Sequence, residues 1–134
     1  MAQLVKHLMR RGAMTCNEEM SVRSVAQVMV VNRLRYCVVI NKKCEVQGLI
    51  SADSILRAYD KDLDAVRAKD ILQSHSFTTT PTTPLPAAIA LMTTNRREHL
   101  IVVGDPPTDR SVLGILDARH IVRSIARDEK SEGR

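Results

Sequence analysis

One order of residue types occurs twice in this chain, and that repetition restricts the fold more than composition does. Ala68-Lys69-Asp70-Ile71-Leu72 echoes Val5-Lys6-His7-Leu8-Met9, with Ile71 over Leu8 (71 − 8 = 63). At the same offset Thr78 falls on Thr15, Met92 on Met29, Asn95 on Asn32 and Val102 on Val39. The stretch Gly48-Leu49-Ile50-Ser51-Ala52-Asp53-Ser54-Ile55-Leu56 returns as Gly114-Ile115-Leu116-Asp117-Ala118-Arg119-His120-Ile121-Val122. There the offset is 66 (114 − 48), because the Pro- and Asp-rich loop from Gly104 to Ser111 is longer in the second copy. Self-similarity at a fixed spacing marks a supersecondary unit that is built twice.

Within each copy the periodicity changes in a fixed order. Leu4, Val5, Leu8 and Met9 have helical spacing, and Gly12 ends that segment. A short strand over residues 13–16 precedes a helix from Val22 to about Asn32, whose face carries Val25, Ala26 and Met29. Residues 35–40 and 46–50 read as a hairpin around Asn41-Lys42-Lys43. A helix from Ala52 follows, with Ile55, Leu56 and Tyr59 as its apolar side, and residues 60–64 form a polar linker. In the second copy Thr83 and Pro84 are expected as N-cap and first turn, ahead of a buried face of Leu85, Ala88, Ile89 and Met92. The last helix is expected to fade at Ala126, leaving residues 128–134 as a charged, disordered tail.

A strand–helix–strand order needs a crossover, so those strands are expected parallel, with the hairpin adding an antiparallel strand. The expected fold class is therefore α/β (α+β): two β-α-β-β-α repeats packed through their small sheets about a pseudo-two-fold, with clefts between them. Repeat one takes residues 1–63, including the N-terminal segment and the linker; repeat two takes residues 64–127.

Composition narrows the function classes. The chain of 134 residues has no Trp, one Phe and two Tyr, so its core must be aliphatic and it has few rings on which bases would stack. Residues 1–63 carry 10 Lys and Arg against 6 Asp and Glu, and residues 64–134 carry 10 against 9. The basic residues are dispersed in pairs, which gives at most weak, salt-sensitive nucleic-acid binding. Cys16, Cys37 and Cys44 lack CxxC spacing, so neither a disulfide framework nor a zinc site is expected. The four histidines show no ligand spacing. Neither a signal peptide nor an apolar stretch of about 20 residues is present, so a cytoplasmic protein without a membrane partner is expected. No Gly-rich phosphate loop, HExxH or nucleophile elbow supports an enzyme.

The two strand–turn–helix junctions remain. Ser51 and Asp117 are N-cap residues, and a helix N-terminus at a strand end presents unpaired N–H groups to an anion. Capping alone explains both residues equally well.

The order V-x-x-L-M, S-V-x-x-V-A-x-x-M, R-Y-C-V-V-I, G-L-I-S-x-x-S-I-L resembles a CBS domain, and two copies resemble the tandem CBS pair, or Bateman module, over roughly Leu4 to Ala126. The resemblance implies a regulatory module that has no obligatory cofactor. It implies an adenosyl ligand (AMP, ADP, ATP or S-adenosylmethionine), homodimerisation through helices, and signalling to a protein partner. It places the base against Met14-Thr15 and Cys37-Val38 in copy one, and against Phe77-Thr78 and Leu100-Ile101 in copy two. The family's phosphate-facing Ser/Thr maps to Ser51 and Asp117, and its ribose Asp to Ser54 and His120. Neither copy keeps that Asp, and Asp53 lies one helical step, about 100°, from Ser54. Ser51 suits a phosphate, with Arg33 or Arg35 as candidate help, whereas Asp117 answers its own helix dipole and would repel one. Copy one is thus the expected phosphate site, and copy two suits an uncharged adenosyl group or nothing. The alternatives are a dimerising interaction module without a ligand, and a weak nucleic-acid binder.

Overall fold

A computed structural model describes residues 3–73, 77–104 and 111–132 of the chain. In chain order the elements are α1 (Val5–Leu8), β1 (Arg10–Arg11), β2 (Thr15–Asn17), α2 (Val22–Val31), β3 (Tyr36–Ile40), β4 (Val46–Ser51), α3 (Ala52–Arg57), α4 (Ala68–Ile71), β5 (Thr78–Thr79), α5 (Leu85–Thr94), β6 (His99–Val103), β7 (Val112–Asp117) and α6 (Ala118–Glu132). The mixed α/β class and the twofold repeat of the sequence are both present. Two compact units form, one from Ala13–Ser76 and one from Met1–Gly12 with Phe77–Arg134. The leading segment of each repeat therefore folds with the strands of the other repeat.

In the Ala13–Ser76 unit, β2 runs parallel to β3 (Thr15 opposite Val38) and β3 antiparallel to β4 (Cys37 opposite Ile50). Val22, Val25 and Met29 recur at helical spacing on α2 and are buried. Its start is closed by Ser21, whose hydroxyl accepts the Ser24 N–H at 3.1 Å. The core joins Cys16, Val25, Met29, Cys37, Val39, Ile50 and Ala68. Cys16 and Cys37 are free thiols with Sγ atoms 2.7 Å apart. The hydrogen bond between Cys37 and Cys16, together with burial, raises the Cys37 pKa, so it stays a thiol.

The other unit repeats this plan. β5 runs parallel to β6 (Thr78 opposite Ile101), β6 pairs antiparallel with β7 (Leu100 opposite Leu116), and β1 adds a fourth strand antiparallel to β7. Its core joins Val5 from α1 to Leu85, Ala88, Met92, Leu100, Val102, Leu116 and Ile121. The repeated asparagines have one structural task. Asn32 Nδ2 donates to Val28 O at 2.8 Å and Asn95 Nδ2 to Leu91 O at 2.9 Å, closing the C-termini of α2 and α5. Each is followed by an arginine in the left-handed region, Arg33 at φ 54° and Arg96 at φ 53°.

Some local expectations are revised. The entry to α5 is Pro84, while Thr83 turns its hydroxyl to Thr80 Oγ1 at 2.7 Å. Leu56 and Tyr59 are 69% and 78% exposed and do not face the unit's core. α6 passes Ala126 and runs to Glu132, overlapping the segment expected to be a disordered tail. Residues 105–110 of the long second loop lie outside the described residues.

Candidate functional site

The turn that joins β4 to α3 is closed by two serines. Ser51 N–H donates to Ser54 Oγ at 3.2 Å, Ser54 N–H reaches Ser51 Oγ at 3.5 Å, and the two hydroxyls lie 3.4 Å apart. Ser54 is buried, so this reciprocal cap occupies both side chains. Asp53 is exposed and pairs with Arg57 at 2.9 Å. At the second junction Asp117 is buried, and its Oδ1 accepts the Arg119 N–H at 2.8 Å with Arg119 Nε at 3.7 Å.

The residues that the resemblance assigns to the base fall at matched positions. Thr15 pairs with Val38 and Met14 O accepts the Val38 N–H at 3.3 Å; Thr78 pairs with Ile101 and Phe77 O accepts the Ile101 N–H at 3.2 Å. Met14 is exposed, whereas Val38, Ile101, Cys37 and Leu100 are buried. Cys37 and Leu100 belong to the helix-side cores, so their side chains are packing groups. The Arg97 guanidinium lies over the Phe77 ring, 5.4 Å from its centroid.

Beside each helix start is a groove that sequence reading did not find. In the Ala13–Ser76 unit it has a volume of about 250 Å³ and lies between α3 and the α4 segment, where Asp53, Ser54, Arg57, Lys61, Asp70 and Gln73 supply its polar groups. In the other unit a groove of about 470 Å³ lies between α6 and the α1–β1 segment, with His7, Arg10, His120, Arg123 and Arg127 in the same role. Position by position these are the same places in the two repeats: Ser54 and His120, Arg57 and Arg123, Lys61 and Arg127, Asp70 and His7. Asp70 and His7 even cap their short helices alike, each accepting a backbone N–H, from Arg67 at 2.9 Å and Leu4 at 3.0 Å. What differs is charge. No cluster of metal-ligating side chains exists among the described residues, and none of the described helices is long and apolar enough to cross a membrane.

The model of the CBS domain family matches residues 5–61 and again 68–127. Solved structures agree in fold. The CBS domain pair of protein MJ0100, in complex with 5′-methylthioadenosine and S-adenosyl-L-methionine, gives a TM-score of 0.82 at 17% identity over 96% of this chain and 99% of that one. CBSX2 in complex with AMP gives 0.81 at 18% identity, covering 95% and 98%. TA0289, a conserved CBS domain protein of unknown function from Thermoplasma acidophilum, gives 0.79 at 24% identity, covering 92% and 69%. No curated protein is significantly similar in sequence.

Proposed function

The chain belongs to the CBS domain family, as a tandem pair, and from that premise we propose that it is a non-catalytic regulatory module. It binds an adenosyl compound at the strand–turn–helix sites and passes the bound state to a protein partner. The observation that carries this reading is the matched pair of grooves, one beside each helix start and each reached by the residue in the ribose position, Ser54 or His120. Two distant relatives of the same fold were crystallised with adenosyl ligands, AMP in one and S-adenosyl-L-methionine with 5′-methylthioadenosine in the other. Regulation follows from differential affinity: a ligand that prefers one arrangement of the chain populates that arrangement and the partner surface it presents.

Thermal denaturation against AMP, ADP, ATP, adenosine and S-adenosylmethionine tests the reading. A ligand at 100 times its Kd stabilises the folded state by about 2.7 kcal/mol, a rise of several degrees in Tm. No rise with any of the five at millimolar concentration sinks the adenosyl assignment. That outcome would favour an interaction module without a ligand, a reading to which the mutual capping of Ser51 and Ser54 also points.

A further inference from the structure

We propose that the groove between α6 and the α1–β1 segment is an anion site, and that it seats the oligophosphate of a nucleotide in place of the helix start at Ser51. The proposal deepens the adenosyl reading and rests on it only for the nucleoside half of the ligand; the anion seat stands on the groove's own chemistry.

The groove's polar lining is cationic or hydrogen-bond donating throughout, with Arg10, Arg123, Arg127, His7 and His120 and no carboxylate. His120, Arg123 and Arg127 are spaced i, i+3, i+7 and so share one face of α6. Because His7 Nδ1 accepts the Leu4 N–H, the neutral ring carries its proton on Nε2 and offers a donor. His120 Nδ1 is buried and has no hydrogen-bond partner among the described residues. A buried polar atom left without a partner is costly, and a ligand group at this position would remove the cost. Three guanidiniums suit phosphate oxygens, which they bind through paired N–H donors.

The counterpart groove lacks this character although its residues occupy the matching positions of the repeat. Asp53 and Asp70 there offset Arg57 and Lys61, and the Asp53–Arg57 ion pair is already made at 2.9 Å. It is also smaller, about 250 Å³ against 470 Å³, where pockets for small molecules run from about 300 to 1,000 Å³. The carboxylate of Asp117, which on sequence alone should repel a phosphate from this copy, is buried and held by the Arg119 N–H. Its charge is answered at the cap, while the cationic face begins at His120 and extends away along α6.

Calorimetric titration of the full chain with adenosine, ATP and inorganic tripolyphosphate tests the site, using Arg123→Glu, Arg127→Glu, the milder Arg123→Ala, and Lys43→Glu as a control for net charge. ATP is expected to bind at least tenfold more tightly than adenosine at low salt. Tripolyphosphate alone should bind the wild type. Each groove variant should lose the ATP advantage and the tripolyphosphate signal without changing adenosine affinity, while Lys43→Glu keeps both. Equal affinity for ATP and adenosine, or loss in Arg57→Glu in place of Arg123→Glu, overturns the proposal. So does single-stranded RNA binding this groove while ATP and tripolyphosphate do not. Adenosine binding without tripolyphosphate binding removes the anion site and leaves the adenosyl reading standing; the reverse pattern keeps the anion site and removes the adenosyl reading.

Discussion

His99 is the first residue of β6 and lies opposite Asp117 of β7. Burial lowers its pKa from the ordinary 6.5, opposed by the charges of Asp117 and Glu98 and assisted by Arg97. A depressed folded-state pKa means that the unfolded chain takes up the proton first as the pH falls. The stability that neutral His99 permits is therefore complete above 6.5 and is lost as the pH drops from there through the lower folded value. Melting at pH 7.5 and pH 5 should show the wild type losing more Tm than His99→Gln; equal losses would mean the imidazole is indifferent to its surroundings. Other residue-scale features differ in how far sequence revealed them. Ser51 and Asp117 could be read as caps because capping is decided within three residues of chain. Thr83 was misread because Pro84, with its φ already near the helical value, takes the entry position and frees the Thr83 hydroxyl for Thr80. That Ser54 is consumed by the Ser51 cap was invisible, since a serine one turn into a helix reads equally well as a ligand group.

Among the elements, α2, α5 and the β3–β4 and β6–β7 hairpins were legible, because each announces itself by apolar periodicity within its own length. β1 was not. Arg10 and Arg11 are exposed and show no alternation; only backbone pairing with Ile115 and Gly114 makes them a strand. Local pattern cannot say which copy a segment will join, so the exchange of leading segments stayed hidden, and with it the gathering of Arg10, Arg123 and Arg127 into one groove. The glycine that opens each repeated stretch is explained by the same exchange. A Cβ on Gly48 would meet the Gln73 carbonyl oxygen at 2.6 Å, and one on Gly114 would collide with the carbonyl oxygen of Arg10. In both places the obstacle is backbone, which cannot rotate aside. Gly48→Ala and Gly114→Ala should each destabilise the protein by about 1–3 kcal/mol in urea unfolding, the usual cost of overpacking. A change within about 0.5 kcal/mol, the range of ordinary surface substitutions, would show that the leading segments are not held against β4 and β7 in solution.

For the whole molecule, the exposed apolar residues matter most. Leu56 and Tyr59 on one side of the α3 segment are 69% and 78% exposed, and Val122 and Ile125 on α6 are 64% and 59% exposed. These are the same two positions of the repeat, offset by 66 (122 − 56), so both copies present an apolar pair that their own units leave to water. The helical periodicity that puts Leu56 and Tyr59 on one apolar side is real, and that side faces away from the unit's core. Such faces mark association sites, and a second copy of the chain offers matching ones through a two-fold axis. Burying four such side chains from each protomer contributes on the order of 10 kcal/mol, against an association cost of about 4–15 kcal/mol; at the low end of that cost about 6 kcal/mol remains, a Kd in the tens of micromolar. Sedimentation velocity at high micromolar concentration should therefore find a homodimer. Leu56→Glu combined with Val122→Glu should convert it to a monomer without lowering the helical signal, because neither side chain contributes to a unit's core. A wild-type monomer under those conditions sinks the argument outright. A variant that stays dimeric would move the interface to the other exposed apolar pair, Val30 and Val31 of α2, which are 77% and 79% exposed.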